Sequence, residues 1–141
     1  MTSTTNAAGA ADTVRRWHES HRHLLDAVSA SGALTPDWRP SFEAVPRHLF
    51  LPERVWRYGA DGYVPVHRAG EPEAWWELAY ADEPVVTQLD EGAAGGPGEA
   101  TSSSSMPSLV ARMLAELEVG CGGERVLEIG TGVRHEAAHC K

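Results

Sequence analysis

Apolar positions recur at three-to-four spacing in two stretches of the chain and run together in a third. In the first, Val14, Trp17, His21, Leu24, Leu25 and Val28 fall on one face. This predicts a helix from about Thr13 to Ala30, with Asp12 as N-cap and Ser31-Gly32 as its end. In the second, Leu109, Val110, Met113, Leu114 and Leu117 form an apolar stripe. Ser105 is placed to cap that helix, Pro107 sits near its first position and Gly120 stops it. In the third, Val126, Leu127 and Ile129 form the short run of a buried central strand, which enters Gly130-Thr131-Gly132. Glu128 puts a carboxylate at the rim of that glycine turn. A strand running into such a turn suits a nucleoside-type ligand at the carboxyl end of a parallel sheet.

Between these stretches the pattern is broken by Pro36, Pro40, Pro46 and Pro52. Ser41 to Val45 reads as one helical turn capped by Ser41, and Pro46 to Pro52 as a turn followed by an anchored apolar segment. Phe42, Val45, Leu49 and Phe50 are expected in the core. Residues 53–80 mix Trp56, Tyr58, Tyr63, Trp75, Trp76 and Tyr80 with glycines, which suits either a substrate rim or a loop cap over the core. Tyr80 to Gln88 is a β-like segment after an acidic turn. Asp90 to Thr101 is a flexible loop by composition, and residues 1–11 are read as disordered. No internal repeat is present. The predicted organisation is therefore a disordered start (1–11), a helical and irregular region (12–101) with its loop at 90–101, the start of a cofactor-binding domain (102–132) and a tail (133–141).

Composition narrows the function classes. The chain has 141 residues, 42% of them hydrophobic and 23% charged, and a net charge of −8. That is a globular composition with the wrong sign for a nucleic-acid partner. No apolar run approaches the roughly 18 residues of a membrane span. Met1 to Ala11 lacks the basic start and apolar stretch of a secretory signal, and two cysteines do not make a disulfide scaffold. The expected location is cytoplasmic. His18, His21 and His23 invite a metal reading. Only His18 and His21 share a face and nothing completes a ligand set, so no metal site is expected and the cluster is read as a solvated helix face. His48 is read as a packing histidine rather than a catalytic one.

Four segments, taken together and in order, resemble the protein-L-isoaspartate O-methyltransferase family. They are Phe42 to Phe50, Tyr80-Ala81-Asp82, Ser105 to Leu114 and Arg125 to Gly132. The wording of Val45 to Glu53 and the Ser/Gly-rich insertion are similar to actinobacterial relatives. The resemblance implies an α/β, Rossmann-like class I methyltransferase with a helical N-terminal extension. It implies S-adenosylmethionine as cofactor, bound by Glu128, Gly130, Thr131 and Gly132, and Ser105 as the catalytic-site residue that holds substrate and cofactor for transfer. The substrate would be a protein or peptide with an isoaspartyl or aspartyl carboxylate. A carboxylate is already a nucleophile at neutral pH, so the demand is alignment and exclusion of water rather than a strong base. A hydroxyl at a helix N-terminus can orient that carboxylate and share the positive end of the dipole. As a plain alternative, Ser105 is only an N-cap.

The chain departs from the family after Gly132. Arg134 stands where a third glycine is expected, and His135 to Lys141 resembles nothing in the family. The expectation is an incomplete, Rossmann-like methyltransferase, truncated shortly after its first motif and inactive as this chain. Two rivals stand beside it. One is a non-catalytic peptide-binding fragment built from residues 12–117. The other is a zinc metalloprotease, since His135-Glu136-Ala137-Ala138-His139 matches H-E-x-x-H; no third ligand follows that motif.

Overall fold

A computed structural model describes residues 4–118, 125–127 and 129–130. Helix α1 runs Thr4–Ala30. It starts nine residues before the predicted Thr13, so residues 4–11 are helical rather than disordered and Asp12 lies inside the helix instead of capping it. Ala7, Ala8, Ala10 and Ala11 supply the helix propensity that extends it. His21, Leu24, Leu25 and Val28 are buried along its inward face, as the spacing requires.

Helix α2 is Arg39–Ala44, with Trp38 at the N-cap position and Pro40 in the first turn. Ser41 is therefore inside this helix and is not its cap. A 3-10 turn, Arg47–Phe50, follows. Of the four apolar residues expected here in the core, only Phe42 is buried. Val45 and Phe50 are half-buried and Leu49 is 68% exposed, while Arg47 and His48 take the inward positions.

Residues 53–80 are regular structure rather than a loop cap. Strands β1 (Arg54–Gly59) and β2 (Gly62–His67) form an antiparallel hairpin closed by the pair Gly59↔Gly62. The turn is Ala60-Asp61, and Gly62, which opens β2, has φ +110°, a conformation that a side chain would strain, so a glycine is what the strand needs just after the turn. Val55 and Val66 pair across the hairpin and are both fully buried. Tyr58 and Tyr63 pair on its tip, ring edge to face at 5.0 Å. Helix α3 (Pro72–Tyr80) then brings Trp75, Ala79 and Tyr80 inward. The Trp75 side chain is fully buried, and its indole N–H donates to the Pro52 carbonyl at 3.1 Å.

Strands β3 (Val85–Leu89) and β4 (Ala100–Ser104) complete an antiparallel sheet in the order β2-β1-β3-β4. Val85 faces Ser104 across the β3–β4 ladder, and both are buried. The intervening segment is folded around one side chain, where composition predicted a flexible loop. The Asp90 carboxylate accepts hydrogen bonds from the backbone N–H groups of Gly98 and Glu99, and the Asp90 N–H donates to the Glu99 carbonyl.

Helix α4 (Pro107–Glu116) buries Pro107, Val110, Ala111 and Leu114. Its predicted stripe is split, because Leu109, Met113 and Leu117 face outward. Helix α1 packs against α2, α3 and α4, and α3 against β2 and the 3-10 turn. The described residues thus form a mixed α/β unit. They do not form the parallel, Rossmann-like arrangement expected around Val126 to Ile129. Arg125 to Leu127 is not strand, and Leu127 and Ile129 are 85% and 89% exposed instead of buried. A strand of the parallel type needs partners for its backbone groups on both sides, and among the described residues it has none.

Any Cβ added at Gly96 would overlap the Asp90 carboxyl group. Gly96→Ala should therefore displace Asp90 and lower stability by about 1–2 kcal/mol. Hydrogen exchange at the Gly98 and Glu99 amides is the check: exchange as slow as in the parent chain would show that Asp90 does not organise this segment.

Candidate functional site

Three of the four resemblance segments meet at one corner, where the end of α3, the end of β4 and the start of α4 come together around Arg47. The Arg47 side chain is 1% exposed. Its guanidinium donates to the carbonyls of Ala79 and Ala81 through Nη1, at 3.3 and 3.1 Å. Through Nη2 it donates to the carbonyls of Glu83, Ser104 and Ser105, at 3.0, 3.2 and 2.8 Å, and Nε donates to the Ser104 hydroxyl at 3.4 Å. A planar fork with fixed donors suits such a fan of acceptors in a way that a lysine does not. The charge also lies at the carboxyl end of α3, where helix carbonyls have no intrahelical partner and the dipole is negative. Helix α3 has no basic residue in its own last turn; Arg47 supplies one from outside.

The other helix end at this corner is served in the same way. Met106 is the N-cap residue of α4 and makes no side-chain cap. The Asp82 carboxylate reaches across instead and accepts from the Ser108 N–H at 2.8 Å. The N-cap position of α4 is thus Met106 and not the expected Ser105. Ser105 is half-buried between β4 and α4, with its carbonyl held by Arg47. The expected use of the α4 dipole changes too. Its positive end already receives the Asp82 carboxylate, so a substrate carboxylate brought there would meet a like charge.

Next to this corner lies a buried polar and aromatic cluster. His48 Nδ1 is 2.5 Å from the Tyr80 hydroxyl, and its ring lies against Trp17 and Trp76. Burial lowers the His48 imidazole to about 4, helped by the Arg68 charge and by His21. Burial raises the Tyr80 phenol. At neutral pH the pair is therefore an uncharged imidazole and a protonated phenol, and we assign the hydroxyl proton to Nδ1 as acceptor, with the ring proton on Nε2. His21, lowered mainly by burial, donates from Nε2 to the Phe42 carbonyl at 2.9 Å. His21 and His48 thus pack as neutral groups, which agrees with the packing reading of His48 and takes His21 off the solvated face. His18 stacks on Trp17 at 3.7 Å. Among the described residues no group of three His, Cys, Asp or Glu could hold a metal ion.

Of the expected cofactor residues, Gly130 alone is described. Glu128, Thr131 and Gly132 lie outside the described residues, as do Arg134 and the H-E-x-x-H stretch. Gly130 has φ +80°, which fits a tight turn, but no heavy atom lies within 4 Å of where a Cβ would be. With Leu127 and Ile129 exposed, the described residues do not form a cradle for S-adenosylmethionine.

Comparison with known proteins bears on this corner. No family model matches the chain, and no solved structure matches it. The chain is similar to an isoaspartate methyltransferase. The relative is protein-L-isoaspartate O-methyltransferase 1 of Rhodopseudomonas palustris (strain HaA2), 32% identical over 120 residues. The aligned part covers 85% of this chain and 36% of the relative, so the chain spans little more than a third of that protein's length. No helix among the described residues is long and apolar enough to cross a membrane.

Sequence reasoning singled out Ser105 and passed over the two charged residues that organise the corner around it, Arg47, which holds the Ser105 carbonyl, and Asp82, which holds the Ser108 N–H. The available signals were an arginine inside an otherwise apolar run, and an aspartate in an acidic turn whose partner helix has no acidic residue of its own in its first turn.

Arg47→Met should cost at least about 3 kcal/mol, because it strands buried carbonyls, and Arg47→Lys should recover only a small part of that. Urea unfolding measures both; a lysine variant as stable as the parent would show that the fork geometry is irrelevant. Buried His48 contributes to the acid response. The folded pKa of His48 lies below its ordinary 6.5, so its neutral form is favoured by folding. The resulting stability is complete above about pH 6.5 and is lost as pH falls toward about 4, at up to about 1.4 kcal/mol per pH unit. The urea midpoint should therefore drop between pH 7 and 4.5, and His48→Gln should flatten that drop. An unchanged slope in the variant would locate the acid sensitivity elsewhere.

Proposed function

We propose that this chain is a substrate-facing part of a protein or peptide carboxyl O-methyltransferase of the isoaspartate type. The observation that carries this reading is the convergence of Phe42–Phe50, Tyr80–Asp82 and Ser105–Leu114 on one corner. Residues separated by more than fifty positions in the chain meet there through Arg47. The similarity to the Rhodopseudomonas palustris protein supports it. In this reading Ser105 orients the isoaspartyl or aspartyl carboxylate of a repair or peptide-tailoring substrate. It does so by its hydroxyl alone, since Asp82 occupies the positive end of α4. Residues 125–132 are the start of a Rossmann-like cofactor motif of an enzyme that works in the cytoplasm, as the sequence implies.

By itself, this chain neither holds the cofactor tightly nor turns over, and it acts as the peptide-binding part. That reading is supported by the exposure of Leu127 and Ile129 and by the open space around Gly130.

Fluorescence anisotropy with a matched pair of peptides, isoaspartyl and aspartyl, tests the substrate side. The isoaspartyl peptide should bind more tightly, and Ser105→Ala should weaken it about threefold to tenfold, the worth of one hydrogen bond. Equal binding of both peptides, with no effect of Ser105→Ala, would sink the substrate assignment. Titration calorimetry with S-adenosylhomocysteine tests the cofactor side. No saturable heat is expected, and a one-site micromolar isotherm would show that the glycine turn assembles a cofactor site in this chain.

A further inference from the structure

We propose that the cleft between α1 and α3 receives the cationic side chain, guanidinium or ammonium, of a bound peptide. This deepens the peptide-substrate reading above and rests on it for the identity of the ligand. The cleft has a volume of about 380 Å³. Trp76 and Tyr80 line it, with rings parallel to within 8° and centroids 5.9 Å apart. Electron-rich ring faces attract cations. The Trp76 ring already holds one, since the Arg68 guanidinium carbon lies 5.2 Å from its centroid.

The remaining wall groups set the sign of the ligand. Arg16, Glu19, Ser20 and His23 come from α1, and Glu73 and Glu77 from α3, so three carboxylates face one guanidinium. Glu73 is bridged to Arg16 at 3.2 Å, an ion pair that ties the two helices together at the cleft. Glu19 and Glu77 have no ion-pair or hydrogen-bond partner among the described residues. Exposed carboxylates on a helix are ordinary when solvated singly. Here Glu19 and Glu77, from different helices, line the same concavity as the Trp76 and Tyr80 rings, and the Arg16 charge beside them is taken up by Glu73. That arrangement attracts a cation by charge and by ring quadrupole together, and repels an anion.

The position of the cleft links it to the Ser105 corner. Tyr80 lines the cleft, and Asp82, two residues further on, caps the helix that Ser105 precedes. A peptide with its carboxylate at the corner can therefore place a neighbouring lysine or arginine against the Trp76 ring. The chain's net charge of −8 favours such basic peptides from a distance.

The test uses the whole chain and two small probes, N-acetyl-arginine methylamide and its citrulline counterpart, which match in shape and differ in charge. NMR titration follows the Trp76 indole N–H signal. The arginine probe should shift it saturably and bind at least about tenfold more tightly than the citrulline probe. Glu19→Gln combined with Glu77→Gln should weaken the arginine probe about fivefold or more without changing the melting temperature, because both side chains are exposed. Equal affinity for the two probes, or an undiminished affinity in the double variant, would overturn the proposal. The readout needs neither cofactor nor turnover. Arginine binding in a chain that fails to prefer isoaspartyl peptides would therefore uphold the cleft and remove only the methyltransferase reading.

Discussion

The fold turns on a buried guanidinium. Arg47 is held at the centre of a fan of five backbone carbonyls drawn from the end of α3, the turn beyond it and the end of β4. Placing a charge in the interior is costly, and the cost is offset only when every donor finds an acceptor. Here the acceptors are backbone groups at places where the backbone would otherwise lack partners, namely a helix terminus and a strand end. One side chain therefore satisfies three segments at once, and none of them can move without exposing carbonyls that the others do not serve. That constraint fixes where α3 stops, where β4 ends and hence where α4 starts.

A second, neutral layer backs the first. His48 follows Arg47 directly and points into a different cluster, where Tyr80, Trp17 and Trp76 surround it. His21 on α1 faces the same Tyr80 ring. The two imidazoles are tolerated there because each has a hydrogen-bond partner and burial keeps each uncharged. The consecutive pair Arg47-His48 thus divides two tasks. The permanently charged residue ties backbone segments together, and the titratable one seats the long helix α1 on the aromatic face of α3.

The sequence was readable where periodicity and local chemistry agree. The inward face of α1 followed from the spacing of His21, Leu24, Leu25 and Val28, and β3 followed from the apolar run after an acidic turn. Long-range partners were not readable. Helix α4 was expected to carry its own cap in Ser105, yet its cap is Asp82, which no local pattern announces. The loop at 90–101 reads as flexible because glycines dominate it, but a single carboxylate, that of Asp90, collects its amides. The β1–β2 hairpin was legible in principle. Val55 and Val66 flank the Ala60-Asp61 turn at symmetric distances, but the many aromatic residues drew attention to surface and rim instead. The buried-strand expectation at Val126 to Ile129 shows the opposite limit, since an apolar run specifies burial only when something is present to bury it against.

These commitments narrow what the corner can do chemically. Both helix ends that a polar ligand would first be expected to use are already engaged, α3 by a cation and α4 by a carboxylate. A site built there cannot rely on free helix dipoles, and the Asp82 charge disfavours a second anion close to α4 unless the ligand also carries compensating positive charge. The Ser105 hydroxyl and the acidic aromatic cleft beside Tyr80 are complementary in that respect. In the proposed reading the first is the contact for a carboxylate and the second the contact for a cation on the same peptide. Under the proposed reading, a substrate carrying both groups fits this electrostatic surface better than one carrying the carboxylate alone.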